Sequence, residues 1–314
     1  MTSQELRIGT RGSQLALYQA NWVKEKLIQV HPHLKVTLVK IKTTGDRIQD
    51  APLAKVGGKG LFVKEIEEAL IHRGIDLAVH SIKDVPTELP KGLRLSAITK
   101  REDPRDVFIS KDGTLLKNLP QRAKIGTSSL RRQAQLLHFR GDFEMIPLRG
   151  NLDTRLKKLK TMNLDGIILA YAGVKRLGLA ERITEIISTE ISLPAIGQGA
   201  LGIETRMDDE EVEKKIRSLN DPPSAIAISA ERAFLKKLGG GCQVPIAAFG
   251  QIVGPNLQID GVVGTIDGKR FIRHHVEGPI EEAESLGVEL ANVLLNKGAD
   301  EILKEIYQRS SPAI

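Results

Sequence analysis

Arg7-Ile8-Gly9-Thr10-Arg11-Gly12-Ser13 and Lys124-Ile125-Gly126-Thr127-Ser128-Ser129 are two versions of one short phrase. Each reads as a strand, a polar turn and a helix, and Ser13 is placed to cap the helix of the first. The cap matters because a helix start leaves backbone N–H groups without partners, and a hydroxyl can accept from one of them. After Ser13, the residues Ala16, Ala20, Val23 and Leu27 recur at helical spacing. A second strand over Val36–Ile41 comes next. Then a helix with Phe62, Ile66 and Leu70 on one face leads into Ile75-Asp76-Leu77-Ala78-Val79-His80, another strand. The second copy keeps step. Gly150-Asn151-Leu152 opens a helix with Leu152, Leu156 and Leu159 inward, and Asp165-Gly166-Ile167-Ile168-Leu169-Ala170 is the strand after it. Two similar α/β domains with a cleft between them are predicted.

Helix breakers mark the joins. Lys100-Arg101-Glu102-Asp103-Pro104-Arg105 and Leu193-Pro194-Ala195-Ile196-Gly197-Gln198-Gly199 are two crossovers, so the chain leaves the first domain and returns to it. Hinged clefts built this way can close over a ligand. Gly197-Gln198-Gly199-Ala200-Leu201-Gly202 matches the dinucleotide pattern only in form, because Ala200–Glu204 reads as strand and not as a helix start. Beyond Asp221-Pro222-Pro223 a helix carries Ile226, Ala230, Phe234 and Leu238 at i, i+4 spacing. Strands over Val244–Val253, Leu257–Thr265 and Arg270–Val276 follow, with Asp267-Gly268 as a hairpin turn. Helices over Ile280–Asn296 and Ala299–Tyr307 complete a small α+β domain. The expected boundaries are 1–99 with 200–219, including a mobile loop at 43–60; 100–199; and 220–314.

The 314 residues are too many for one ordinary core. No run of about 18 apolar residues exists, so no membrane span is expected. One cysteine fits a reducing compartment, and Met1-Thr2-Ser3-Gln4-Glu5-Leu6-Arg7 holds no apolar signal core, so the cytoplasm is the expected location. The net charge of +7 invites nucleic acid as a partner. Against that, aromatic residues make up only 4%, which leaves little surface for stacking single strands. Histidines pair closely only at His31/His33 and His274/His275, with no ligand set around them, so no metal site is expected. A small polyanion suits the surplus charge at least as well.

Arginines gather where strand-to-helix turns belong: Arg11, then Arg131 and Arg132 after Ser128-Ser129, Arg149 before Gly150-Asn151, then Arg155 and Arg176. Helix N-termini favour anions there, and the guanidinium fork suits carboxylates. In His80-Ser81-Ile82-Lys83-Asp84-Val85-Pro86, alternation would put Ser81 and Lys83 on one face and His80, Ile82 and Asp84 on the other. Asp84 could then stabilise a developing cation or move protons. The only cysteine, Cys242, follows Leu238-Gly239-Gly240-Gly241. Such a loop suits a nucleophile, a redox sensor or a covalent anchor, and equally a glycine-capped helix end before a small buried residue.

These motifs, with Gly57-Gly58-Lys59-Gly60-Leu61 and Arg149-Gly150-Asn151-Leu152-Asp153-Thr154-Arg155, closely resemble the hydroxymethylbilane synthases, also called porphobilinogen deaminases. The resemblance runs over essentially the whole chain. It implies two periplasmic-binding-protein-like α/β domains with a hinged cleft, plus a small C-terminal α+β domain with a three-stranded antiparallel sheet. It also implies a monomer that binds neither nucleic acid nor membrane. In that family a cysteine matching Cys242 holds a dipyrromethane cofactor by a thioether. Four porphobilinogen molecules are then added head to tail, each losing ammonia, and hydrolysis frees hydroxymethylbilane. Asp84 matches the catalytic carboxylate. The resemblance places Ser81, Lys83, Asp84, Thr127, Ser129, Arg131, Arg132 and Arg155 on the cofactor. It places Arg11, Ser13, Ser128, Arg149, Asn151, Arg155 and Arg176 on substrate carboxylates, and Lys55 and Lys59 in a lid loop. A non-catalytic anion receptor is the rival class, since duplicated hinged α/β domains also serve solute binding. A receptor needs neither Cys242 nor Asp84.

Overall fold

The structure, a computed structural model, describes residues 5–47, 60–240 and 244–310. In chain order its strands are β1 (Glu5–Thr10), β2 (Lys35–Lys40), β3 (Leu77–Ser81), β4 (Leu93–Ile98), β5 (Asp106–Ser110), β6 (Lys124–Gly126) and β7 (Glu144–Ile146). There follow β8 (Gly166–Ala170), β9 (Glu185–Ile186), β10 (Leu201–Arg206), β11 (Ile246–Val253), β12 (Asn256–Gly264) and β13 (Phe271–Pro279). The helices are α1 (Gln14–Val30), α2 (Thr44–Arg47), α3 (Lys64–Ile71), α4 (Leu130–Phe139) and α5 (Leu152–Thr161). The rest are α6 (Tyr171–Arg176), α7 (Glu210–Ile216), α8 (Pro222–Lys237), α9 (Ala283–Leu294) and α10 (Asp300–Ser310).

One compact unit takes the described residues up to 47, 60–102 and 199–225. Its sheet has the order β2-β1-β3-β10-β4. β1 is parallel to β2 and β3, whereas β10 is antiparallel to β3 and β4. Both faces are apolar, as expected of a sheet covered on two sides. Leu6, Ile8, Leu77, Val79, Leu201 and Ile203 pack with Ala20, Val23 and Leu27 of α1. On the opposite face, Ala78 and Leu93 pack with Ile66 and Leu70 of α3. Ser13 caps α1 by accepting the Ala16 N–H at 3.3 Å.

The other unit takes the described residues of 103–198 and from 226 onward, and it holds two sheets. The order β7-β6-β8-β5-β9 repeats that of the first unit, with β6 in the place of β1 and antiparallel β5 in the place of β10. The duplicated phrase is therefore a duplicated topology. β5 faces two cores by alternation: Phe108 enters one, Val107 and Ile109 the other. The third sheet is antiparallel, β11-β12-β13, and packs on α8, α9 and α10 through Phe234, Leu286, Leu290 and Ile302. Gly268 makes the turn before β13 at φ +70°, and its N–H donates to the Thr265 carbonyl.

Three readings of local sequence are corrected. Phe62 precedes α3 and is not part of its face. Arg176 lies in the last turn of α6, not at a strand end or a helix start. The Ser81/Lys83 alternation stops at Ser81, because Ile82–Asp84 winds into a 3₁₀ turn closed by the Val85 N–H on the Ile82 carbonyl at 3.0 Å. The Gly197–Gly202 segment leads into strand β10, and no helix starts there. Among the described residues no helix is long and apolar enough to cross a membrane.

Candidate active site

In the first unit the site residues stand where β1 and β3 end. The 3₁₀ turn after β3 buries Ile82 and turns Lys83 and Asp84 outward together, each half-buried. The Asp84 carboxylate has no hydrogen-bond or ion-pair partner among the described residues. Ser81 does have one: its hydroxyl accepts from Gln19 Nε2 at 2.9 Å, and Gln19 is a buried residue of α1. Arg11 follows β1. Its Nε donates to the Asp46 carboxylate at 3.1 Å, and its guanidinium lies 4.3 Å from the centre of the Phe62 ring. Burial pushes the Asp46 carboxyl up, but the Arg11 hydrogen bonds and charge outweigh this and hold it below the ordinary range.

Behind the turn sits a buried acidic group. His80 Nε2 lies 2.9 Å from Glu204 Oε2, joining β3 to β10. Glu67 of α3 completes the group, and its carboxyl is pushed up to about 7, first by burial and then by the Glu204 charge, against a smaller opposing effect of His80. One oxygen each of Glu67 and Glu204 is buried without a hydrogen-bond partner.

In the second unit, the turn after β6 repeats this plan with different chemistry. Ser129 caps α4 by accepting the Arg132 N–H, Thr127 Oγ1 accepts from the Ser129 N–H at 3.2 Å, and Ser128 Oγ donates to the Leu148 carbonyl at 3.0 Å. Arg131 and Arg132 are both buried, and both guanidiniums converge on Asp106 at the start of β5. The nearest N–O distance is 2.8 Å for each. Gln198 Nε2 at 2.9 Å and Ser192 Oγ at 3.2 Å also donate to Asp106, which is fully buried. Burial alone would push its carboxyl up, but the two guanidiniums hold it well below the usual carboxylate range. The cluster of two cations and one anion keeps a net charge of +1.

Arg149 follows β7, and Arg155 lies in the first half of α5 with its Nε donating to the Gly150 carbonyl at 2.8 Å. Asn151 caps that helix by accepting the Thr154 N–H at 2.9 Å. Gly150 makes the entry at φ +112°, where a Cβ would press into Thr154 at 2.6 Å. Cys242, Lys55 and Lys59 lie outside the described residues.

The sequence reading missed Gln19, Asp46, Asp106, Ser192 and Gln198. Only Asp106 carried a signal: an acid directly ahead of Val107-Phe108-Ile109 enters the core with that strand, and a buried carboxylate requires cations.

Fold and side chains together define a class: a duplicated α/β protein with arginine-bearing strand-to-helix turns, a carboxylate without a described partner just past the end of β3, and an appended antiparallel sheet. The family models that match are "Porphobilinogen deaminase, dipyromethane cofactor binding domain" over residues 6–214 and "Porphobilinogen deaminase, C-terminal domain" over 225–296. Porphobilinogen deaminases of Geotalea daltonii and Geobacter sulfurreducens are 59% and 58% identical over 309 residues, covering 98% of this chain and 97% of theirs. That of Pelobacter propionicus is 57% identical, covering 98% and 99%. Among solved structures, the methionine-binding protein MetQ aligns with 69% of this chain and 90% of its own at 14% identity and a TM-score of 0.44. The chain belongs to the porphobilinogen deaminase family.

Proposed function

We propose that this chain condenses four porphobilinogen molecules head to tail, with loss of ammonia at each addition, and releases hydroxymethylbilane by hydrolysis. Family membership supports the activity. The observation that carries the residue assignment is the Asp84 carboxylate, held at the end of a central strand without a partner among the described residues. A substrate pyrrole turns cationic as ammonia leaves and again as the new bond forms. A carboxylate about 4 Å away contributes on the order of 4 kcal/mol at an effective dielectric near 20. Asp84 also serves to take and return protons at the pyrrole nitrogens.

We assign Cys242 as the thioether anchor of the dipyrromethane group. When bound, that group supplies the primer pyrrole to which the first substrate is joined. Its carboxylates fit the donor chemistry of the second unit. The helix start at α4 carries Thr127, Ser129, Arg131 and Arg132, and the Asp106 cluster retains one net positive charge for an incoming anion. Arg155, with Ser81, Lys83 and Asp84 of the first unit, completes this set. Arg11, Ser13, Ser128, Arg149, Asn151, Arg155 and Arg176 are assigned to substrate carboxylates, and Lys55 and Lys59 to a lid. Ser13, Ser129 and Asn151 also cap α1, α4 and α5 through their side-chain oxygens, and their hydroxyl or amide hydrogens are left to donate to a carboxylate. We further assign three domains (1–99 with 200–219, 100–199 and 220–314), a monomeric state without nucleic acid, and a cytoplasmic location.

The intact mass of the denatured protein tests the cofactor. It should exceed the sequence mass by two linked pyrrole units, with no addition on Cys242→Ser. Brief exposure to porphobilinogen should then add a ladder of further single units. A fully active enzyme with unmodified Cys242 refutes the anchor, and a bare chain under every condition favours the receptor class.

A further inference from the structure

Arg11 is held more firmly than a surface arginine. Its Nε reaches both Asp46 oxygens, Oδ1 at 3.1 Å and Oδ2 at 3.3 Å, and Nη2 closes a second hydrogen bond to Oδ1. Asp46 is fixed in turn: its Oδ2 accepts from the Thr43 hydroxyl at 2.8 Å and from the Thr43 N–H at 3.3 Å, and Thr43 is fully buried. The flat face of the guanidinium is covered by Phe62. That ring lies where it does because residue 45 is glycine: a Cβ there would stand 2.3 Å from the ring, while the Gly45 N–H donates to the Leu61 carbonyl at 2.8 Å. One edge and one face of the guanidinium are therefore committed. Nη1, on the opposite edge, has no partner among the described residues.

We propose that Asp46 is a positioning residue for substrate binding: with Phe62 it fixes the Nε/Nη2 edge of Arg11, so that the Nη1 edge is presented ready-oriented to a substrate carboxylate. The proposal rests on the assignment of Arg11 to substrate. A guanidinium left free must be oriented on binding, whereas one held on two sides keeps its fork in place beforehand. Asp46 touches no reacting atom in this arrangement, so its effect belongs in KM and not in kcat.

The test uses the cofactor-loaded enzyme in five forms: wild type, Asp46→Asn, Asp46→Glu, Arg11→Lys and the double variant of Asp46→Asn with Arg11→Lys. Asp46→Asn keeps the size and the Thr43 contacts but removes the charge-assisted grip, and should raise KM about tenfold with kcat nearly unchanged. Asp46→Glu should recover part of the loss. Arg11→Lys should raise KM by itself, and adding Asp46→Asn to it should raise KM no further, since the fork to be oriented is gone. An unchanged KM in Asp46→Asn, beside a raised KM in Arg11→Lys, overturns the proposal and leaves the Arg11 assignment standing. So does a lowered KM, which would make Asp46 a competitor of the substrate. An equal rise in both backgrounds overturns it too, by placing the effect elsewhere. An unchanged KM in Arg11→Lys overturns the Arg11 assignment and the proposal together.

Discussion

Glu67→Gln should make the protein more stable relative to wild type as the pH rises, and the size follows from the buried acidic group. Glu67 titrates near 7 in the folded chain against an ordinary value of 4.5. A raised folded value means that the folded state holds the proton more tightly than the unfolded chain does. The stabilisation is complete below pH 4.5, is lost progressively as pH climbs, and is gone above about 7. The difference of 2.5 pH units corresponds to about 3 kcal/mol at 1.36 kcal/mol per unit. The glutamine variant would carry no such dependence, because its amide does not ionise over this range. Urea unfolding of both proteins at pH 5, 6, 7 and 8 isolates the effect, because every other group is common to both. The stability difference should move by about 2.5 kcal/mol towards the variant between pH 5 and pH 8. A difference that stays constant across that range would show that Glu67 does not titrate there, and the picture of a shared buried charge with Glu204 would fail.

Asp84→Ala should lower turnover about a thousandfold, the equivalent of about 4 kcal/mol of lost cation stabilisation, with stability unchanged because the carboxylate holds no structural partner. Asp84→Glu should keep partial activity, and turnover of Asp84→Ala within tenfold of wild type would remove the residue from its assigned role. Asp106→Asn should destabilise the second unit by about 3 kcal/mol or more, because it leaves two buried guanidiniums facing each other without their anion. Urea unfolding at neutral pH measures this, and a loss below about 1 kcal/mol would mean that the arginines find other partners.

Much of the fold was legible because the two strand-turn-helix phrases keep their spacing. Apolar periodicity located α1, α3, α5 and the three antiparallel strands to within a few residues. The short strands β7 and β9 have three and two residues, too few for any period to register. β4 and β10 pair across about a hundred residues, so neither announces the other locally. Alternation misread the Lys83-Asp84 turn, since residues that follow a strand need not continue it. The arginine positions were visible, but their partners were not: nothing near Arg131 in the sequence indicates that Asp106 lies beneath it, or near Arg11 that Asp46 grips its edge. Ion pairs 25 and 35 residues apart are set by tertiary packing, not by local pattern.

The place of β10 has a consequence for how the chain is made. All six of its residues are buried, and it lies between β3 and β4, an inner strand of a sheet whose other strands end by residue 98. A nascent chain that has emerged only to residue 200 has β3 and β4 ready but nothing to join them. The sheet of β5 to β9 draws wholly on residues 106–186 and needs no later sequence. Synthesis therefore inverts the expected order: the inner sheet of the chain can complete itself first, while the N-terminal strands β1 to β4 wait with an open seam. Pairing over such separations is slow, and the exposed edges of β3 and β4 are the natural sites for chaperone capture or aggregation in the interval.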